Sequence, residues 1–308
     1  MNLDNFNGKR ILIIGDIMLD KYIWGSIERM SPEAPVKIVD VAKETYILGG
    51  AANTANNIIS LGGKATLIGT IGADESGKII SKLLDEKAIE KEIIIDTNKP
   101  TIQKTRIMSN NQQQMRVDYE SKKNITKEIE DQVLDKIKQN IEKADAIIIS
   151  DYMKGNITER LITEISNYEK IVVVDPKSRR IYKNVTLITP NNKEICKMFN
   201  LECTNGEKIN ELGINLLKEI NSNILVTRGE KGATLFEKDG SITDIPTKAV
   251  EVYDVSGAGD TVTAAVTLAL ASGANLKEAA EIANHAAGVV VGKLGTTPCT
   301  IEELKSSF

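Results

Sequence analysis

Apolar, β-branched runs alternate with segments of helical periodicity along nearly the whole 308-residue chain. The runs are short, continuous and bounded by polar residues, as in strands buried on both faces. The stretches between them repeat apolar residues at three- and four-residue spacing, which marks amphipathic helices. This alternation predicts an α/β fold with a mostly parallel sheet and helices on both faces. Core strands are expected at 11–14, 65–69, 146–150, 171–175, 186–189, 224–227 and 233–236. Helices are expected near 50–61, 75–88, 126–143, 156–167, 191–199, 206–220, 257–272, 275–292 and 300–306. Residues 20–48 and 101–119 break the rhythm, reading as strands with no helix between them and with a turn at Asn110-Asn111. They are expected to form a small antiparallel sheet that covers the strand edge as a lid, within a single domain spanning 1–308.

The residues that follow the predicted strands are polar: Gly15-Asp16, Ser150-Asp151, Asp175-Pro176-Lys177, Thr189-Pro190-Asn191 and Thr227-Arg228-Gly229. In a parallel sheet ligands bind beyond the carboxyl ends of the strands, so these ends sketch one side of a site. The stretch Asp254-Val255-Ser256-Gly257-Ala258-Gly259-Asp260 joins an anion-binding loop to a carboxylate. A helix N-terminus offers unpaired N–H groups and partial positive charge, and glycine lets backbone approach a ligand closely. Asp260 falls in the first helical turn, within reach of a hydroxyl about to be phosphorylated. The structural alternative is a helix start capped by Ser256 or Asp260.

Gly49-Gly50-Ala51-Ala52-Asn53 reads either as a tight helix start or as a backbone platform for a polyol, with Asn53 offering donor and acceptor. In Asn191-Asn192-Lys193-Glu194, the first and last residues share a helical face and suit a hydrated Mg²⁺ or a capping box. Lys104 and Arg106 project from one face of a strand without local acids, which suits an anionic group on a substrate or a solvated face. Gly72-Ala73-Asp74-Glu75-Ser76-Gly77-Lys78-Ile79 is a near miss for a P-loop, because Ile79 stands where a Mg²⁺-binding hydroxyl is required. It reads instead as a turn into a helix capped by Asp74 or Ser76.

Composition narrows the chemistry. With 41% hydrophobic and 27% charged residues the chain can bury a proper core, and a net charge of −4 with interspersed signs argues against nucleic-acid or membrane-surface partners. No apolar run reaches membrane-spanning length, and a cytoplasmic protein is expected. Cys196, Cys203 and Cys299 lack paired spacing and read as packing residues, without a disulfide framework or zinc site. His285 is the only histidine, which removes Ser-His-Asp and Cys-His catalysis and leaves carboxylates as the general bases.

Taken together, Asp254 to Asp260, Gly49 to Asn53, Asn191 to Glu194 and Thr227-Arg228-Gly229 resemble the ribokinase/PfkB carbohydrate kinases, in the right order and over essentially the whole chain. Further stretches are similar to the branch of that family acting on D-glycero-β-D-manno-heptose 7-phosphate. They are Gly15 to Asp20, Ser31 to Val36, Asn111-Gln112-Gln113, Arg116 to Glu120, Ser150 to Gly155, Asp175-Pro176-Lys177 and Ala286 to Thr296.

The resemblance implies a ribokinase-like fold with a β-sheet lid. It also implies an ATP- and Mg²⁺-dependent kinase that phosphorylates the anomeric hydroxyl of a small sugar phosphate, giving a 1,7-bisphosphate for ADP-heptose biosynthesis. Asp260 would be the base, and the N–H groups of Gly257, Ala258 and Gly259 would hold the transferring phosphoryl. Asn191, Asn192, Lys193 and Glu194 would border the ATP phosphates, Glu194 carrying Mg²⁺ through water. Thr227, Arg228, Gly229 and Asn284 would line the nucleotide site. Asp16, Asp20, Gly49, Gly50, Asn53, Asp151 and Lys177 would meet the sugar, and Lys104 with Arg106 its 7-phosphate.

A homodimer through the lid is expected, because exposed strands need a cover. Bifunctional members of the branch continue into a nucleotidyltransferase domain, whereas this chain stops at Phe308, so adenylylation is not expected of it. The alternatives are a kinase of another sugar, sugar phosphate or nucleoside, and a catalytically silent binding regulator, against which the intact Gly-Ala-Gly-Asp loop argues. A dehydrogenase is disfavoured because no G-x-G-x-x-G follows the first strand.

Overall fold

Ile11 and Ile13 pack into the core on one face of a nine-stranded sheet and Leu12 and Ile14 into the core on the other, which is why that run carries no polar residue. The computed structural model describes residues 3–110, 112–177, 182–202, 208–247, 252–293 and 295–308. Asn111, Cys203 and Leu294, singled out in the sequence, lie outside the described residues.

In chain order the first elements are β1 (Arg10–Gly15), β2 (Ile17–Met30), β3 (Lys37–Gly50), α1 (Ala51–Ser60), β4 (Lys64–Ile71), α2 (Glu75–Glu86) and β5 (Glu90–Ile95). Next come β6 (Ile102–Ser109), β7 (Gln112–Tyr119), α3 (Lys127–Asn140), β8 (Ala146–Ser150), α4 (Glu159–Ser166), β9 (Ile171–Asp175) and β10 (Leu187–Ile188). The remainder are α5 (Asn192–Met198), α6 (Ile209–Ile220), β11 (Asn223–Thr227), β12 (Ala233–Phe236), β13 (Ile242–Ile245), α7 (Ala258–Ala271), α8 (Leu276–Val291) and α9 (Ile301–Ser306). The main sheet runs β13-β12-β11-β10-β9-β8-β1-β4-β5, parallel from β5 to β11 and antiparallel over the last two pairings. The predicted strands and helices are all present. Strands β5 and β13, at the two sheet edges, were not expected.

Helix starts follow their side chains. Thr126 and Thr158 cap α3 and α4, and capping boxes open α5, α8 and α9. Asp74 caps α2 by accepting from Gly77 N–H at 3.0 Å, so the near-miss P-loop is a capped turn. Cys196, read as a packing residue, is disulfide-bonded, with its partner outside the described residues. Spacing gave no sign of this because a disulfide depends on three-dimensional proximity.

The lid is a four-stranded sheet, β3-β2-β6-β7. Its two hairpins are antiparallel as expected, but they join along a parallel β2–β6 seam that pairs Asp20 with Lys104 and Tyr22 with Arg106. Ile17, Met18 and Leu19 at the start of β2 are buried, so the lid grows out of the core one residue after β1. Chain order reverses between β1 and β8, with β4 on the far side of β1. Ligand sites of open α/β sheets form at such a crevice. Among the described residues no helix is long and apolar enough to cross a membrane.

Candidate active site

Helix α7 brings its N-terminus to the carboxyl edge of the strands. Its Ala- and Thr-rich sequence lets it pack closely, and it is buried from Asp260 to Leu270, with Thr263 Oγ1 2.9 Å from Thr189 Oγ1. Gly257 is the N-cap at φ 80, a left-handed conformation that favours glycine, and a Cβ there would lie 2.9 Å from Thr296 Cγ2 and 3.0 Å from Asn53 Nδ2. Neither Ser256 nor Asp260 caps the helix. Ala258 N–H donates to Val255 O at 3.3 Å, which leaves Gly257 and Gly259 as the better-placed members of the predicted anion loop. A Cβ on Gly259 would meet nothing within 4 Å, so open space adjoins the loop at this residue. Asp254 ties the loop down, accepting from Ser256 N–H at 2.8 Å and Gly295 N–H at 3.1 Å.

Asp260 is 4% exposed. Its Oδ2 accepts from Asn53 Nδ2 at 2.7 Å, and its Oδ1 from Tyr152 Oη at 2.8 Å and Thr54 Oγ1 at 3.2 Å. Burial pushes its carboxyl above the ordinary aspartate range, and the bonds from Asn53 and Tyr152 with the Lys177 charge pull it part of the way back. Lys177 bonds Asp175 Oδ1 at 3.2 Å and Glu194 Oε1 at 2.8 Å. Burial disfavours its charge, but those two carboxylates more than offset this and hold it protonated. Burial also raises Asp175, whose charge Lys177 favours and Glu194 and Asp260 oppose.

On one side of Asp260 lies a cavity of about 670 Å³. Asn191, Asn192, Lys193, Thr227, Arg228, Gly229 and Asn284 line it with Ala258 and Gly259, as expected, alongside apolar Leu225, Val252 and Ala280. Glu194 does not line it. Its Oε2 accepts from Asn191 N–H at 2.8 Å, and Asn191 Oδ1 from Glu194 N–H at 3.0 Å, so the capping-box reading holds. Arg228 donates to Thr234 Oγ1 at 2.8 Å, and Asn284 Nδ2 to Pro246 O at 2.7 Å.

Of the residues expected to meet the sugar, Asp20, Gly49, Gly50, Lys104 and Arg106 lie on the lid strands and Asn53 in the first turn of α1. Gly50, at φ 56, precedes α1, whose first N–H bonds Asp16 O at 3.0 Å. The reading of Lys104 and Arg106 as cations without local acids fails for Arg106, which forms a short ion pair with Asp20. Nearby, Arg116 pairs with Asp118 at 2.8 Å and Lys154 with Glu120 at 2.5 Å. Lys104 alone of these four cations has no ion pair among the described residues. Burial pushes its ammonium below the ordinary lysine range; the Asp20 charge opposes this, and Arg106, Lys154 and Arg116 add to it.

Two predicted sugar ligands are corrected. Asp16 is fully buried, accepting from Tyr152 N–H at 2.8 Å, Lys154 N–H at 3.1 Å, Asn156 N–H at 3.2 Å and Asn156 Nδ2 at 2.9 Å. Four donors fill a carboxylate, so nothing is left for a sugar hydroxyl. Asp151, also fully buried, accepts from Met153 N–H at 2.7 Å and Tyr182 Oη at 2.6 Å and has no surface to offer a ligand. Both hold the loop that carries Tyr152, the site residue that the sequence reading did not single out. Its sequence signals were the polar end of β8 and its place within the Ser150 to Gly155 stretch.

Comparison with known proteins places this geometry. The family model for pfkB carbohydrate kinases matches residues 9–303. The bifunctional protein HldE of a Nitratiruptor species is 42% identical over 299 residues, covering 96% of this chain and 64% of that protein. Bifunctional protein HldE of Geobacter sulfurreducens is 40% identical over 305 residues, covering 96% of this chain and 62% of the relative. The chain thus spans less than two thirds of these relatives. Among solved structures, a ribokinase from Thermotoga maritima superposes with a TM-score of 0.77 at 21% identity, covering 96% of this chain and 98% of that one. Arabidopsis thaliana ribokinase complexed with ribose and ATP gives 0.77 at 18% identity, covering 97% and 98%. At such identities the likeness is one of fold.

Proposed function

The chain belongs to the pfkB family of carbohydrate kinases, phosphotransferases with an alcohol group as acceptor, and from that premise we propose that it transfers the terminal phosphoryl of ATP to the anomeric hydroxyl of D-glycero-β-D-manno-heptose 7-phosphate. The observation that carries this is the place of Asp260. It stands at the N-terminus of α7, where Ala258 and Gly259 line a nucleotide-sized cavity and Tyr152 links it to Lys104 of the lid, a cation without an ion pair among the described residues. Asp260 accepts the hydroxyl proton as the oxygen attacks, and the N–H groups of Gly257 and Gly259 bear on the charge that develops on the phosphoryl. Lys177 sits between the two sides, where it can follow that charge. Lys104 supports a substrate with a second, distal phosphate. The 40–42% identity to bifunctional HldE proteins supports the heptose over other sugars.

Among the described residues no group of three or more His, Cys, Asp or Glu is placed to hold a metal. Mg²⁺ keeps most of its waters and is carried largely by nucleotide phosphates, so the fit rests on what Glu194 can offer. Glu194, already bonded to Asn191 and Lys177, retains a lone pair on each oxygen for a metal-bound water. When bound, the ion supplies charge neutralisation on the phosphates.

The test is a panel of sugars and sugar phosphates with coupled detection of ADP. Heptose 7-phosphate should give the highest kcat/KM; a higher value for a hexose phosphate, an unphosphorylated sugar or a nucleoside overturns the heptose assignment. We also propose a homodimer through the lid. Every residue of the edge strand β7 is exposed, Met115 by 59% and Tyr119 by 56%, an apolar edge that favours pairing. Sedimentation should give twice the chain mass for the wild type and the chain mass for Met115→Lys/Tyr119→Lys. A wild-type monomer at micromolar concentration sinks the dimer.

A further inference from the structure

Tyr152 is the first contact of Asp260 that comes from neither α1 nor α7. Its phenol donates to Asp260 Oδ1, and its ring lies between two ammonium groups, Lys177 Nζ at 4.6 Å and Lys104 Nζ at 5.5 Å from the ring centroid. One of these lysines comes from the lid and the other from the loop after β9, so a single ring is in contact with a cation of the lid and with the lysine that pairs with Asp175 and Glu194. Its backbone is held unusually firmly. The Tyr152, Lys154 and Asn156 N–H groups converge on the buried Asp16, and Met153 N–H on the buried Asp151. Within this turn Met153 takes φ 57, a left-handed conformation unfavourable for a side chain of its size. Strain held in place by surrounding bonds next to a reactive group marks a functional constraint.

An ionised carboxylate has about four lone-pair sites. Thr54, Tyr152 and Asn53 occupy three of those on Asp260. We propose that Tyr152 is a positioning residue for the phosphoryl acceptor: its phenol fixes Asp260 so that the one open lone pair meets the acceptor hydroxyl, and its ring is the floor on which the sugar lies between Lys104 and Lys177. The phenol remains the donor throughout, because burial and the Asp260 charge hold its pKa well above the ordinary tyrosine value. This assignment rests on the kinase reading and on Asp260 as base. Asp16 and Asp151 enter it as the anchors of the Tyr152 loop.

Tyr152→Phe and Tyr152→Ala separate the two roles. The phenylalanine variant keeps the ring and loses the donor. A carboxylate deprived of a donor ionises less readily, so the acid limb of its kcat/KM profile should move to higher pH by up to about one unit. On the acid side of that limb its kcat should fall by up to about tenfold and recover as the pH rises, with the acceptor KM unchanged within about twofold. The alanine variant should in addition raise the acceptor KM about tenfold while leaving the KM for ATP unaltered. The assay uses whichever sugar the wild type phosphorylates, so a substrate other than the heptose overturns that reading and leaves this one standing. An unmoved acid limb with unchanged kcat in Tyr152→Phe overturns the proposal, reducing the phenol to a packing contact. A higher kcat with a lower acceptor KM overturns it too, making Tyr152 a plug that the sugar must displace. Should Tyr152→Ala fail to fold, the phenylalanine variant decides alone.

Discussion

Asp260→Asn is expected to fold and bind ATP as the wild type does while turnover falls by about 10²–10⁴-fold, roughly 3–5 kcal/mol of transition-state stabilisation. The amide cannot take up the hydroxyl proton. The fold should survive for a local reason. The substituted amide would turn its NH₂ toward Asn53 Nδ2, but Asn53 Oδ1 is buried without a hydrogen-bond partner, so a flip of Asn53 supplies an acceptor. Burial raises the folded pKa of Asp260 above its unfolded value, so its ionised form costs stability at neutral pH and the neutral amide removes that cost. The variant should therefore melt no earlier than the wild type. The same shift means that wild-type kcat/KM declines as pH falls through this raised pKa. Steady-state kinetics beside a thermal melt check the prediction, and a variant retaining about a third of wild-type kcat removes Asp260 from the role of base.

Lys104→Gln is expected to raise the KM for the sugar phosphate about 10- to 100-fold, the worth of one charge-assisted hydrogen bond, with the KM for ATP unchanged. Stability should hold. The folded pKa of Lys104 lies below its unfolded value, so its charge already costs stability at neutral pH. Arg106→Gln should behave differently despite standing two residues away on the same strand. Arg106 neutralises Asp20, which is 6% exposed, and leaving that carboxylate unpaired should cost about 3 kcal/mol. Its loss should therefore appear first in denaturant unfolding, and in substrate affinity only secondarily. Equal losses in KM for sugar phosphate and for ATP in Lys104→Gln would detach the lysine from the substrate phosphate.

The layered fold and the Gly-Ala-Gly-Asp helix start were legible because their signals are local. Runs such as Ile11 to Ile14 carry no polar residue, and Gly257 to Asp260 packs an αL glycine, open space and a carboxylate into four consecutive residues. What the sequence hid depends on distant partners. Asp16 has its acceptors filled by groups near residue 154, and nothing around it in the chain distinguishes a loop anchor from a sugar ligand. Arg106 lies 86 residues from Asp20 and meets it only through the parallel seam of the lid. Strands β5 and β13 escaped because edge strands mix exposed charged or polar residues with apolar ones, weakening the period that reveals a buried strand.

The two sides of the site also come from separate stretches of chain. Asp20, Gly49, Gly50, Asn53, Lys104 and Tyr152, which we propose for the acceptor side, precede the end of β9 and Lys177 follows it by two residues, whereas the cavity is lined from Asn191 onward. The halves meet chiefly at one carboxylate, through Asn53, Thr54 and Tyr152 on Asp260. Substitutions before β9, other than at Asn53, Thr54 and Tyr152, are therefore expected to change the proposed acceptor side and leave the residues lining the cavity as they are. Changes at Asp260, or at its three partners, are felt by both halves at once.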